Sequence, residues 1–316
     1  MDDFDRFLED KIIPELKPLE EKRKYLSAAM LLSLLIIIGI GIGTSIITVN
    51  FSSFSFFSLF FGSIFLILYC YAFYQFLVII GLVLWYKGYK TEFSAKIIGN
   101  IVKFIDKDLE YSEDEYISKE DYNVSGLFPT HYNGYTGADL VSGKLGKTII
   151  KFSYLYTFFR EVHRDKDGHT TETIKTIFKG LFFIADFNKK FSDIVYVLPH
   201  KFEFLSPLRS HKITLEDPDF NKNFDVYGSD PVVSRYIIST SLMKRLLDFK
   251  NKIKSNFSIS FINSNIYIAI SGYKSFSIPF FKTLYNKNIY YNYLNQLIFA
   301  TDIVNSLNLD TRIWTY

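Results

Sequence analysis

From Tyr25 to Tyr86 the chain runs without one Asp, Glu, Lys or Arg. An amphipathic helix or a half-buried strand returns a polar side chain to water every few residues, so a run this long does not suit a water-soluble core. It is too long for one membrane crossing and suits two. Ser27 to Val49 is an apolar stretch of about 34 Å as a helix, against a hydrocarbon core of about 30 Å. Phe56 to Tyr86 is longer, about 46 Å as a helix, so its ends belong in the interface and the span itself lies near 60–84. The short serine-rich stretch Asn50–Ser55 joins the two. This divides the chain into a segment at 1–24, a transmembrane hairpin at 25–88 with spans near 27–49 and 60–84, a juxtamembrane helix and acidic linker at 89–121, and a folded domain at 122–316.

Orientation follows from the cations beside the spans. Lys22, Arg23 and Lys24 precede the first, and Lys87, Lys90 and Lys96 follow the second, while the connecting loop carries none. Both termini are therefore expected in the cytoplasm. Tyr25, Trp85, Tyr86 and Tyr89 stand where an aromatic belt on that side belongs. The long acidic segment upstream and the second span argue against a cleavable signal peptide. Gly39-Ile-Gly41-Ile-Gly43 sits inside the first span. No strand precedes it, so it fails as a dinucleotide loop. Gly39 and Gly43 instead offer a small-residue face for packing against the second span or a second copy of the chain, which makes a homo-oligomer an expectation. Gln75 is the one strongly polar side chain in the second span. The spans hold no Asp, Glu, Lys, Arg or His, which speaks against a pump or transporter.

Residues 1–24 read as a short amphipathic helix, with Phe4, Leu8 and Ile12 on one face, Phe7 beside them, and Pro14 and Pro18 as interruptions. Residues 92–107 carry Phe93, Ile97, Ile98, Ile101, Val102 and Ile105 at helical spacing, and Glu110–Asp121 reads as an exposed acidic linker. Strong β signals follow. Lys147–Tyr154 and Thr173–Phe187 flank the turn Asp165-Lys-Asp-Gly168, and Ile194–Leu198 stops at Pro199. Phe257, Ile259 and Phe261 alternate with serines, turn at Asn263-Ser264-Asn265, and alternate again through Ile266, Ile268 and Ile270: a hairpin with one buried face. Ser239 or Thr240 opens a helix with Leu242, Leu246, Phe249 and Ile253 on one side, and Tyr290, Leu294, Leu297, Thr301, Val304 and Leu307 mark a last helix. The fold class is α+β: two N-terminal transmembrane helices, then a mostly antiparallel β domain with peripheral helices.

Chemistry-bearing patterns are few. The only cysteine, Cys70, lies in the uncharged run, so a single chain can hold neither a disulfide framework nor a cysteine-based metal site. The net charge of +3 is dispersed and does not point to nucleic acid. Gly143-Lys-Leu-Gly146-Lys-Thr148 resembles the end of a phosphate loop, but Val141 replaces the required glycine and a strand follows, so a hairpin turn is expected. Asp165-Lys-Asp-Gly-His169 lacks the later ligands of a calcium loop. His163 and His169 flank that turn with Glu161 nearby and read as exposed hairpin polarity. His131, His200 and His211 have no partner pattern, and there is no nucleophile elbow or His-Glu-x-x-His. No cofactor, metal or catalytic residue is expected. Lys244, Arg245, Lys250, Lys252 and Lys254 make one helix basic, a solvated face.

Several segments carry a family resemblance. They are Asp139-Leu-Val-Ser-Gly143-Lys-Leu-Gly146-Lys-Thr, Thr176-Ile-Phe-Lys-Gly-Leu-Phe-Phe-Ile-Ala-Asp186-Phe-Asn188-Lys189 and Val195-Tyr-Val-Leu-Pro199, continued by Phe224-Asp-Val-Tyr227-Gly-Ser-Asp230 and Ile237–Met243. The chain resembles the bacterial membrane protein family of domain of unknown function 3137. The departure is Ser153-Tyr154-Leu155, where an acidic residue is expected in the middle. The resemblance implies a multi-pass protein of the bacterial inner membrane without an established activity, and a LemA-type membrane protein as partner. It supplies no catalytic residues. The run around Gly180 also reads on its own as a buried strand in which Gly180 allows close backbone approach, with Asp186 or Asn188 supplying the turn.

The expected role is a membrane-anchored cytoplasmic binding or scaffolding domain in contact with the lipid bilayer. The alternative is a membrane-bound, hydrolase-like enzyme acting at the cytoplasmic face.

Overall fold

The computed structural model describes residues 2–50, 58–164, 170–187, 189–191, 193–200, 211–253 and 255–310, with backbone alone at 2, 40, 41, 43–50, 58–68 and 70. The chain divides into two units. One is Met1–Ile97 with Ile278–Ile289, the other Ile98–Ser277 with Tyr290–Tyr316.

The first unit is helical. It runs through α1 (Asp2–Phe7), a π-helical turn (Leu8–Ile12), α2 (Ile13–Asn50) and α3 (Ser58–Phe93), followed by a second π-helical turn (Ser94–Ile98) that leads to α4 (Gly99–Ile105). Phe4, Leu8, Ile12, Leu16 and Leu19 fall at spacings of three and four, Leu26 follows two turns later, and all are buried, so the expected apolar face exists and continues further than expected. The two prolines do not interrupt it. Helix runs unbroken from Asp2 to Asn50, so Pro14 and Pro18 each cost one backbone hydrogen bond, and the π-helical turn Leu8–Ile12 directly precedes Pro14. Both α2 and α3, with 38 and 36 residues, are about 55 Å long and so exceed a bilayer core. Among the described residues one helical stretch, Tyr71–Ile105, is long and apolar enough to cross a membrane. The first expected span, near 27–49, lies within α2, with backbone alone at 40, 41 and 43–49, and the loop at 51–57 lies outside the described residues.

The second unit is built on a nine-stranded sheet among the described residues: β1 (Leu109–Ser112), β2 (Gly134–Leu145), β3 (Thr148–Arg164), β4 (Thr170–Asp186), β5 (Val195–Pro199), β6 (His211–Ile213), β7 (Phe224–Gly228), β8 (Phe257–Ile262) and β9 (Asn265–Ser271). The order across the sheet is β1-β2-β3-β4-β9-β8-β5-β7-β6. Each of its strand pairs is antiparallel, which bears out the α+β reading. The helices are α5 (Lys119–Val124), α6 (Pro218–Asn223), α7 (Pro231–Ile237), α8 (Thr240–Ile253) and α9 (Asn288–Leu307).

Three departures from the sequence expectations have clear causes. The acidic stretch Glu110–Asp121, read as linker, contains edge strand β1 and opens α5, capped by the Ser118 hydroxyl accepting from Asp121 N at 3.1 Å. An edge strand needs only one hydrogen-bonding side and tolerates charge, so its sequence looks like a loop. Second, β2 was not expected, because Gly134, Gly137 and Gly143 punctuate it like turns. Here the glycines are packing residues: a Cβ at Gly137 would lie 2.5 Å from the Tyr154 carbonyl oxygen. Third, the β8–β9 hairpin turns as expected at Asn263 and Ser264, both at positive φ. It is covered on both faces, however, not one: every residue of Phe257–Ile262 is buried, serines included. Phe257 packs edge-on to Phe249 of α8 at 5.2 Å, while Ile262, Tyr267 and Ala269 join a cluster with Ile117, Tyr122 and Leu127 on the other side. Gly180 behaves as anticipated, since a Cβ there would lie 2.0 Å from the Ile270 carbonyl oxygen.

Candidate functional site

The most structured polar assembly of the helical unit lies just before the uncharged run. On the apolar face of α2, Glu20 and Arg23 replace two hydrophobic residues. Their side chains are 4% and 8% exposed, and Arg23 Nη2 donates to Glu20 Oε1 at 2.8 Å while Nε donates to Oε2 at 2.9 Å. A buried pair of this kind is tolerable only if the remaining donors and acceptors find partners, and the segment 278–289 supplies them. Arg23 Nη1 donates to the Phe280 carbonyl at 2.8 Å, and Leu284 N donates to Glu20 Oε2 at 3.1 Å. The Thr283 hydroxyl reaches Glu20 Oε1 at 3.3 Å. From α3, the Tyr89 hydroxyl donates to the Pro279 carbonyl at 3.0 Å. The Arg23 guanidinium, its hydrogen bonds outweighing the cost of burial, holds the Glu20 carboxyl below the usual carboxylate range.

Around this clamp lie exposed ion pairs, Lys22 with Glu92, Lys96 with Glu15 at 2.9 Å and Lys287 with Glu9. They tie helix to helix and segment to helix, each worth little alone. Beyond them an apolar cleft of about 340 Å³ is lined by Met30, Leu31, Leu34, Ile37, Ile79 and Val83, with Tyr86 and Phe281.

Of the residues singled out in the spans, an added Cβ at Gly39 meets no atom of another element within 4 Å among the described residues. The side-chain surroundings of Gly43 lie outside the described residues. Gln75 is buried and donates through Nε2 to the Tyr71 hydroxyl one turn earlier.

In the sheet unit, Gly146 has φ +61° and forms the β2–β3 turn, as the hairpin reading expects. Lys147 N donates to the Asp310 carboxylate, and a Cβ at Gly146 would lie 2.8 Å from Asp310 Oδ2. An acid of the chain itself thus stands where a phosphate would have had to bind. His163 lies beside Glu161 at 3.4 Å, both exposed. Turn 165–169, with His169, lies outside the described residues, as does Asn188. Neither cleft described in this unit, one beside Asp121, Lys151 and Asp186 and the other beside Gly146 and Asp310, contains a histidine. Ser153, in the tripeptide that departs from the family pattern, is buried and accepts from Ile117 N at 3.1 Å.

The family model described as Protein of unknown function (DUF3137) matches residues 176–309. No curated protein matches the chain. A solved structure, the mycobacterial trehalose monomycolate transport factor A, TtfA, is similar at a TM-score of 0.31 and 9% identity, over 68% of this chain and 96% of that one.

Within the DUF3137 region three polar centres escaped the sequence reading. Asp225 of β7 is buried and accepts from His200 Nδ1 at 3.0 Å and from Lys212 Nζ at 2.7 Å. Lys189, at the end of the most specific family run, donates to the Tyr236 carbonyl at 3.0 Å, with its ammonium 5.0 Å from the Tyr236 ring and 5.6 Å from that of Phe187. Burial lowers its pKa. Burial pushes the Asp193 carboxyl up, but hydrogen bonds from Ser229 and Asp230 outweigh this and leave it lowered. Upstream of the matched residues, Asp139 sits at a β2 bulge with φ +65°. It accepts from the Tyr111 hydroxyl at 2.8 Å, the Ser275 hydroxyl at 2.7 Å and Phe276 N at 2.9 Å. These pairings link residues far apart in sequence, which is why no local pattern announces them. Glu20 and Arg23 had a readable signal: two charges on a helix face otherwise filled by Leu and Ile.

Proposed function

We propose that this protein is a two-span anchor of the bacterial inner membrane, with both termini cytoplasmic, whose DUF3137 domain binds a protein partner there. The observation that carries the reading is Tyr71–Ile105, a stretch apolar enough to span a bilayer. Its Phe76, Leu77, Ile80, Val83 and Leu84 are left exposed. Leu31, Leu32, Leu34, Leu35 and Ile38 of α2 are exposed in the same way. A helix apolar all round, with its side chains outward, finds its solvent in lipid. The charge-free first span, the cations flanking both spans and the absence of Asp, Glu, Lys, Arg and His between them supply the topology.

For the partner, a LemA-type membrane protein is the choice the family resemblance favours. Homo-oligomer contact through Gly39 and Gly43 fits a Gly39 with open space beside it among the described residues. A reporter fused at the C-terminus tests the topology: activity only in a cytoplasm-dependent reporter is expected, and activity of a periplasm-dependent one refutes the orientation. Affinity isolation from native membranes tests the partner. A monomer with no reproducible companion refutes the binding role.

A further inference from the structure

Segment 278–289 is not merely tied to the helices; it carries an aromatic pair to a defined place. The Phe280 ring meets Tyr86 edge-on at 5.2 Å and Phe281 meets Phe280 edge-on at 4.8 Å. Phe281 lines the apolar cleft together with Met30, Leu34 and Val83, all of which lie inside the uncharged run. It is nevertheless 71% exposed. A buried ion pair and four hydrogen bonds thus hold a phenylalanine outward, beside helix surface that is itself apolar and exposed. In water that would forfeit most of the benefit of burying the ring. The next residue, Lys282, is exposed, as are Lys24 and Lys87 at the edges of the uncharged run. Exposed apolar residues go round both helices and do not form one stripe, which suits a fluid apolar solvent better than a one-sided protein contact.

We infer that Phe280-Phe281-Lys282 is a membrane-surface anchor: Phe281 enters the acyl region of the leaflet beside α2 and α3, and Lys282 meets anionic headgroups. This rests on reading α2 and α3 as spans. Its consequence is a third attachment to the lipid surface, from a segment about 200 residues further along the chain than the second span, clamped through Glu20 and Arg23. Aromatic rings at the acyl boundary with lysines reaching to the headgroups are the physical basis of interfacial anchoring.

The lone cysteine makes the test clean. In a Cys70→Ser background, the full chain is given single cysteines by Phe281→Cys, Leu77→Cys or Val232→Cys and carries a nitroxide in phosphatidylglycerol/phosphatidylcholine vesicles. Collisions with dissolved oxygen and with a polar nickel chelate are then compared. The Phe281 label is expected to shift from the aqueous behaviour of Val232, 75% exposed in the sheet unit, to the oxygen-rich, nickel-poor behaviour of Leu77. Lys282→Glu is expected to lose part of that shift in anionic vesicles and none in neutral ones. An aqueous Phe281 label beside a membrane-like Leu77 label overturns the anchor and leaves the spans standing. An aqueous Leu77 label overturns the spans and the anchor together. A Phe281 label shielded from both reagents, with dipolar broadening between copies, overturns the lipid in favour of a second chain.

Discussion

Glu20→Ala removes the hub of the clamp. The alanine deprives Leu284 N–H and the Thr283 hydroxyl of their acceptor and leaves the Arg23 guanidinium with the Phe280 carbonyl as its named remaining partner. Removing one member of a buried ion pair costs about 3–5 kcal/mol. We take the lower end, about 3 kcal/mol, because Arg23 keeps one hydrogen bond at 2.8 Å and the pair lies on a thinly covered helix face. At about 1.4 kcal/mol per decade, opening of segment 278–289 becomes about a hundredfold more frequent. The assay is amide hydrogen exchange by mass spectrometry on the full chain in nanodiscs. The peptide containing Leu284 should exchange about a hundred times faster, while one from β9 is unchanged. Glu20→Leu combined with Arg23→Met should recover part of the protection, since an apolar pair leaves no stranded charge. Exchange at Leu284 unchanged within about threefold would refute the clamp.

The same pair fixes a pH dependence. The folded Glu20 pKa lies below its ordinary 4.5, so its stabilisation is complete above that value and is lost as pH falls through the lower folded one. Protection of Leu284, corrected for intrinsic exchange, should be flat above 4.5 and decline only below it. Gly180→Ala places a methyl 2.0 Å from the Ile270 carbonyl oxygen and forces β4 from β9. A loss of about 2 kcal/mol or more, roughly 4–8 °C in Tm by circular dichroism, is expected, and an unchanged Tm counts against the close approach. Asp139→Ala loses three hydrogen bonds at a left-handed position and should cost about 3 kcal/mol in denaturant titration, with Asp139→Asn milder because asparagine tolerates that backbone. Equal losses for the two variants would refute the backbone part of the argument. Gly39→Leu should leave the fold unaltered, as among the described residues no other element lies within 4 Å of an added Cβ; a change confined to oligomer size by light scattering would locate the packing face between chains, and no change would remove it.

Much of the sheet was legible because strands with alternating or continuous β-branched and aromatic residues declare themselves locally. β3, β4, β8 and β9 did so, and Gly180 revealed its role because a glycine in so apolar a run has few other reasons to be there. β1 and β2 did not: β1 read as an exposed acidic linker because edge strands accept charge, and β2 went unread because crowded strands accept glycine. The burial of Ser258 and Ser260 was also hidden: a serine facing aromatic side chains and a serine facing water give the same alternation. The candidate site was half visible. Glu20 and Arg23 broke the apolar face of α2 in plain view, but Leu284, Thr283 and Phe280, which complete their hydrogen bonds, lie about 260 residues away.

What the sequence determined alone is the extent of the charge-free stretch; that 278–289 joins the helical unit and 98–121 the sheet unit came with the fold. The uncharged stretch from Tyr25 to Tyr86 sets itself apart because the cost of charge in an apolar medium is paid residue by residue, with no need to know the neighbours. The tertiary structure decided everything that depends on partners. It assigned Asp310 to the β2–β3 turn and Asp139 to its three donors, and it set Phe281 outward beside the helices while burying Glu20 and Arg23. Hydrogen bonds and ion pairs are set by distances in space, and a linear sequence does not contain those distances until the chain has folded.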